Sequence, residues 1–173
     1  QLGIFYDLPT FGLGGGVEAK LPDAEAASEA MMGMLLNALS GLTLTQTLGT
    51  LASGLYGSAE MAVICDEVVH MIKCVLAGIT VNDETLALDV IKEVGYGGNY
   101  LTTDHTARLF RRELFFPVLF KRQNIDKWVE AGKKPVVDVA HERVLDILSK
   151  TGPVPLPKGA DEALERALAT VQE

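Results

Sequence analysis

Two carboxylates in this sequence stand where a ligand could meet them. Glu18 and Glu60 each come just after a run that reads as a short strand or its end. In parallel α/β folds the ligand sits at the C-terminal ends of the strands, so acids there can attract a cationic substrate. Glu60 has a second reading, because it also falls in the first turn of a helical run, where negative charge complements the helix dipole. Tyr6, Phe11 and Tyr56 flank the same stretches. Their ring faces could hold a quaternary ammonium group by cation–π attraction, or the rings could fill core.

Gly14-Gly15-Gly16 lies between these features. Backbone amides of a glycine run can cradle a phosphate, but no Gly-Lys-[Ser/Thr] follows, the Gly-x-Gly-x-x-Gly spacing is absent, and the helix starts too late. Two readings remain: a tight strand-to-helix turn, or a space left for a ligand. Asp66, His70 and Cys74 recur at helical spacing and could present metal ligands. No second motif supplies partners, and a polar stripe explains Asp66 and His70, so no metal is expected. His105 and His141 stand on polar runs near acids and read as solvent-facing. With no Gly-x-Ser-x-Gly or other nucleophile signature, the sequence identifies no catalytic residue.

The elements that must position these groups follow from the punctuation of the chain. Residues 8–13 suit a short buried strand, ended by the three glycines. Asp23 to Ser40 reads as a helix, with Pro22 before it, acids in its first turns and Gly41 as a left-handed stop. Leu42 to Leu48 alternates like a second strand, and a glycine-punctuated loop runs to Gly57. Ser58 caps a helix to Ala77 whose polar residues Asp66, His70 and Lys73 form one narrow stripe, so the helix is expected to be buried nearly all round. Beyond Ile79 only helices are expected: Asp83–Val94, Thr103–Leu114, then runs near 125–131, 136–150 and 161–171. A proline-rich linker, Pro153-Val-Pro-Leu-Pro157, precedes the last of them.

Composition narrows the partners. The formal net charge of −8 argues against nucleic acid or an anionic membrane surface, both of which select for excess Lys and Arg. No apolar run reaches the roughly 20 residues a membrane span needs. Cys65 and Cys74 are nine residues apart on one helical run and point to opposite sides, about 180° apart. A disulfide between them is not expected, which favours a reducing, cytoplasmic setting. The mean hydropathy of +0.21 is high for 173 residues and suggests apolar surface beyond a self-contained core.

Three separated motifs carry a family resemblance: Gly14-Gly-Gly-Val-Glu-Ala-Lys-Leu-Pro-Asp23, Asp83-Glu-Thr-Leu-Ala-Leu-Asp89, and Val94-Gly-Tyr-Gly-Gly-Asn-Tyr-Leu101 followed by Thr106. In this order they resemble the C-terminal third of the trimethylamine:corrinoid methyltransferase family, over nearly the whole chain. The resemblance implies a (β/α)8 TIM barrel that moves a methyl group from an amine to the cobalt of a corrinoid protein docked over the barrel mouth. In the trimethylamine enzymes a pyrrolysine sits just before the turn that matches Val17-Glu-Ala-Lys20, and Gly15 aligns with it. Members without pyrrolysine resemble glycine betaine methyltransferase, which points to a quaternary, or else tertiary, amine as substrate.

On this resemblance the expected fold class is α/β, the C-terminal portion of a TIM barrel. About two β/α units fall in residues 1–78, and a mainly helical extension in 79–173. A complete barrel takes about 250 residues, so the barrel is incomplete here and the chain reads as a fragment or a shortened relative. Its excess apolar surface would meet the missing strands, or copies of itself in a homo-oligomer. The substrate-binding candidates are Gly14, Gly15 and Gly16, leaving room for a trimethylammonium group, Tyr56 or Phe11 facing the cation, and Glu18 or Glu60 adding charge attraction. The corrinoid (cobalamin) would belong to a partner protein, with no cofactor bound by this chain. The rival expectation is a catalytically inactive helical binding or assembly module derived from that family.

Overall fold

The computed structural model describes residues 1–150, 152 and 157–171. Most of the proline-rich linker, residues 153–156, lies outside the described residues. After a single helical turn, α1 (Leu2–Phe5), the chain enters β1 (Phe11–Gly12), α2 (Ala24–Leu39) and β2 (Leu44–Thr45). β1 and β2 pair in parallel, Phe11 opposite Leu44 and Gly12 opposite Thr45, so 10–45 is one strand–helix–strand crossover. The regular ladder is only two residues long in each strand, shorter than the runs at 8–13 and 42–48 suggest. Thr47 and Gly49 adopt left-handed backbone and break it. The two segments nonetheless stay side by side: Gly15 N–H donates to the Gln46 carbonyl, Val17 to Thr50, Ala52 to Ala19 and Ser53 to Val17.

The stretch after β2, expected to be loop as far as Gly57, forms a small hairpin instead. β3 (Thr50–Leu51) runs antiparallel to β4 (Tyr56–Gly57). Its turn passes through three successive left-handed residues, Ala52, Ser53 and Gly54, of which only the last is the glycine that announces such a turn. α3 (Ala59–Ala77) follows, and Met61 N–H donates to the capping Ser58 hydroxyl at 3.1 Å. α2 opens similarly, with the Asp23 carboxylate accepting from the Glu25 and Ala26 amides.

α3 is the central element. Its residues Met61, Ile64, Cys65, Val68 and Ile72 are buried between α2 on one side and α8 (Val136–Lys150) on the other. Burial does not extend all round: Val75 and Leu76 in the last turn are exposed. Nor is the polar set limited to one stripe, because Glu67 is buried among the apolar side chains. Leu119 and Ala140 complete the cluster, so α8 and the segment at 119–120 pack on α3 and share its core.

Between α3 and α8 come α4 (Asp83–Leu86), α5 (Leu88–Val94), α6 (Asp104–Glu113) and α7 (Ile125–Glu130), and α9 (Ala160–Val171) ends the described chain. The single helix expected over 83–94 is broken at Ala87, which is left-handed at φ 50° and ψ 33°. An Asn82–Thr85 capping box closes α4 as one turn. Glu84 accepts from Arg108 and Arg112, and His105 donates to its carbonyl, which fastens α4 to α6.

Apolar side chains are exposed on one side of the strand pair. Phe11 and Leu44, cross-strand neighbours, are 65% and 59% exposed, while the alternate residues Gly12 and Thr45 are half-buried. A parallel pair normally has both faces covered, so this face lacks a layer among the described residues.

Candidate functional site

Because β1 and β2 are parallel, the segments that leave them, 14–20 and 46–57, lie at the same end of the pair. Glycines let them touch. A Cβ on Gly15 would stand 2.8 Å from the Leu48 N and Cα, and one on Gly16 would stand 3.0 Å from the Thr47 hydroxyl. On the other flank, a Cβ on Gly14 would lie 2.7 Å from the Gly33 carbonyl oxygen of α2. The Asn37 amide nitrogen lies beneath Gly12 and Gly14, buried and without a hydrogen-bond partner among the described residues. The space beside all three glycines is therefore filled by this chain's own backbone and side chains. They bring the segments together rather than leave an opening.

Beyond the glycines the loop is fixed from both sides. Glu29 of α2 accepts the Glu18 amide at 2.7 Å and the Ala19 amide at 3.2 Å through one carboxylate oxygen. From the hairpin, the Ser53 hydroxyl donates to the Glu18 carboxylate at 2.7 Å, and the Tyr56 hydroxyl donates to the Lys20 carbonyl. Glu18 and Tyr56 are thus brought into one hydrogen-bonded cluster at the strand ends, and both are exposed. Ser53 and Glu29 are the members the sequence reading missed. Neither belongs to a motif: pairing of the two segments places Ser53, and the packing of α2 beside the loop places Glu29.

The other candidates lie elsewhere. Phe11 stands on the open strand face. Glu60 sits at the start of α3, where it accepts from His141 Nδ1 of α8 and from the Ser58 hydroxyl, each at 2.8 Å. The hydrogen bond from His141, followed by backbone and Ser58 donors, holds the Glu60 carboxyl down to about 2. That carboxylate joins two helices, and His141 does not stand alone in solvent. Tyr6 lies edge-on to Phe5 in the N-terminal turn.

Asp66 and His70 are linked through the Asp66 carbonyl, which accepts from His70 Nδ1 at 2.8 Å. Cys65 is buried and Cys74 exposed, both as free thiols, and burial raises the Cys65 pKa. Among the described residues no group of three or more His, Cys, Asp and Glu is placed to hold a metal ion. None of the described helices is long and apolar enough to cross a membrane. A cleft of about 400 Å³ lies between α3, the segment after α6 and α8, where Phe115, Phe116 and Val139 meet Asp66, Lys121 and Arg143.

Known methyltransferases are similar in sequence to this chain. The family model described as trimethylamine methyltransferase (MTTB) matches residues 1–172. A trimethylamine methyltransferase of Desulfitobacterium hafniense is 37% identical over 91% of this chain and 32% of its own length. One from Methanosarcina mazei is 38% identical over 86% of this chain and 30% of its own. A glycine betaine methyltransferase of Desulfitobacterium hafniense is 33% identical over 98% of this chain and 35% of its own. The chain spans about a third of the length of the curated relatives it matches. The family model matches nearly every residue, and the chain therefore belongs to the trimethylamine methyltransferase (MTTB) family.

Proposed function

We propose that this chain is the C-terminal part of a corrinoid-dependent methyltransferase that removes a methyl group from a quaternary amine such as glycine betaine. The observation that carries this reading is the family match over residues 1–172, beside which a glycine betaine methyltransferase aligns over 98% of the chain. The family resemblance aligns Gly15 with the pyrrolysine of the trimethylamine enzymes, and that correspondence supports a quaternary substrate over trimethylamine.

The chain supplies the last β/α units of a TIM barrel, and the uncovered strand face bearing Phe11 and Leu44 is where the remaining barrel strands pack. The methyl acceptor is Co(I) of a corrinoid carried by a separate protein. In the transfer the carbon–nitrogen bond breaks, the nitrogen keeps its electron pair as a neutral tertiary amine, and Co(I) supplies the two electrons of the new carbon–cobalt bond. No proton moves, so acid–base groups are not required. The protein's part is to align the ammonium methyl in line with the metal and to exclude water. Glu18 and Tyr56, at the strand ends, are the groups of this chain that would meet the cation.

The test uses the intact protein that contains these residues, mixed with a corrinoid protein reduced to Co(I). Glycine betaine should yield dimethylglycine together with methylated corrinoid. Methylation from trimethylamine alone would overturn the choice of substrate class. Turnover with free cob(I)alamin by these 173 residues in isolation would overturn the view that further strands complete the site.

A further inference from the structure

We propose that Ser53 is a positioning residue that holds the Glu18 carboxylate toward the ammonium group of a quaternary amine at the strand ends, an inference that rests on the functional reading above. Three observations converge on this pair. Glu18 is exposed and forms no ion pair among the described residues, unlike Glu60, which is bonded to His141. Its backbone is immobilised by Glu29, so the carboxylate projects from a fixed point. Its Oε2 is held by the Ser53 hydroxyl at 2.7 Å, which leaves Oε1 for a ligand.

Ser53 itself is placed at a conformational cost. It is left-handed, at φ 57° and ψ 29°, between Ala52 and Gly54 in the same region. Glycine would adopt that backbone more easily. What serine adds is one hydroxyl, and that hydroxyl goes to Glu18. The backbone bonds Ser53 N–H to Val17 and Ala52 N–H to Ala19 already join the two loops, so the side chain is not needed for that purpose. Tyr56, tied to Lys20 two residues beyond Glu18, sets an aromatic ring in the same cluster.

The chemistry dictates which kinetic constant should respond. The substrate's positive charge disappears from nitrogen as the methyl leaves, so a carboxylate beside it stabilises the bound ground state at least as much as the transition state. Glu18 and Ser53 should therefore govern KM and leave kcat unchanged or slightly raised.

In the intact enzyme with its corrinoid protein, Glu18→Gln should raise KM for glycine betaine about tenfold, and Ser53→Gly should raise it several-fold in the same sense. Ser53→Asn, which tolerates the left-handed backbone and keeps a side-chain donor, should retain most of the affinity that Ser53→Gly loses. The double variant should be no weaker than Glu18→Gln alone, because the hydroxyl acts through the carboxylate. Inhibition by tetramethylammonium should weaken in parallel. Inhibition by the carba analogue of glycine betaine, with a quaternary carbon replacing nitrogen, should stay equal or strengthen. Ser53→Gly relieves the backbone, so a fold defect cannot explain a weakened cation.

An unchanged KM in Ser53→Gly beside a raised KM in Glu18→Gln overturns the role of Ser53. Equal weakening of both inhibitors, or no effect of Glu18→Gln, overturns charge recognition by Glu18. If the wild-type enzyme demethylates no quaternary amine, the functional reading fails first, and this inference falls with it.

Discussion

The backbone N–H of Leu119 points into the buried carboxylate of Glu67 at 2.9 Å, and Val118 donates to the same group at 3.0 and 3.2 Å. One acid in the middle of α3 thereby holds the chain that leaves α6 and leads to α8. Buried carboxylates persist where donors satisfy them, and here those donors are main-chain amides 51 and 52 residues away.

Removing that acceptor strands two amides. Glu67→Ala should lower the unfolding free energy by about 2–4 kcal/mol, and Glu67→Gln, which keeps one carbonyl oxygen, by about 1–2 kcal/mol. Urea denaturation of the purified chain measures both. Equal, negligible losses would show that the contact does not hold the segment.

Gly33 reverses an ordinary rule. Glycine-to-alanine in a helix usually stabilises, by up to about 1 kcal/mol. Here a Cβ on Gly33 would lie 2.5 Å from the Gly14 carbonyl oxygen. Gly33→Ala should destabilise by about 1–3 kcal/mol because α2 must move away from the strand-end loop. A rise in melting temperature would contradict the close approach.

Glu60 gives a pH signature. Its folded carboxyl is held at about 2 against an ordinary 4.5, chiefly by the His141 hydrogen bond. A depressed value stabilises the fold fully above about 4.5, and this contribution is lost as the pH falls through about 2. Carbon-detected NMR titration should find Glu60 far below the other glutamates, and His141→Ala should return it toward the usual range. The same variant should cost about 0.5–1 kcal/mol at neutral pH, as expected for a partly exposed pair.

Ala87 marks a left-handed junction between α4 and α5 in a residue that adopts it poorly. Ala87→Gly removes a steric cost of about 1–2 kcal/mol against a smaller loss of chain stiffness in the unfolded state. A net gain of about 0.5–1 kcal/mol in thermal or urea unfolding is expected. A loss would mean that the alanine methyl contributes packing that outweighs its backbone.

The sequence by itself determined most of the helices and their ends, because caps and stops act locally. Asp23, Ser58, Gly41 and Gly78 each sit where the expected boundary lies. Family membership was equally legible, from the motifs at 14–23, 83–89 and 94–101, and the family model matches residues 1–172. What lay beyond reach depends on contacts between distant residues. The break at Ala87 carries no glycine or proline to announce it, the hairpin at 50–57 looks like loop, and Glu67 reads as one more helical acid. Only the tertiary structure put Ser53 against Glu18 and turned Glu60 toward His141, because parallel pairing and helix docking fix which side chains meet. It also showed that the glycine run is there for close packing, a purpose the residues alone could not separate from an open pocket.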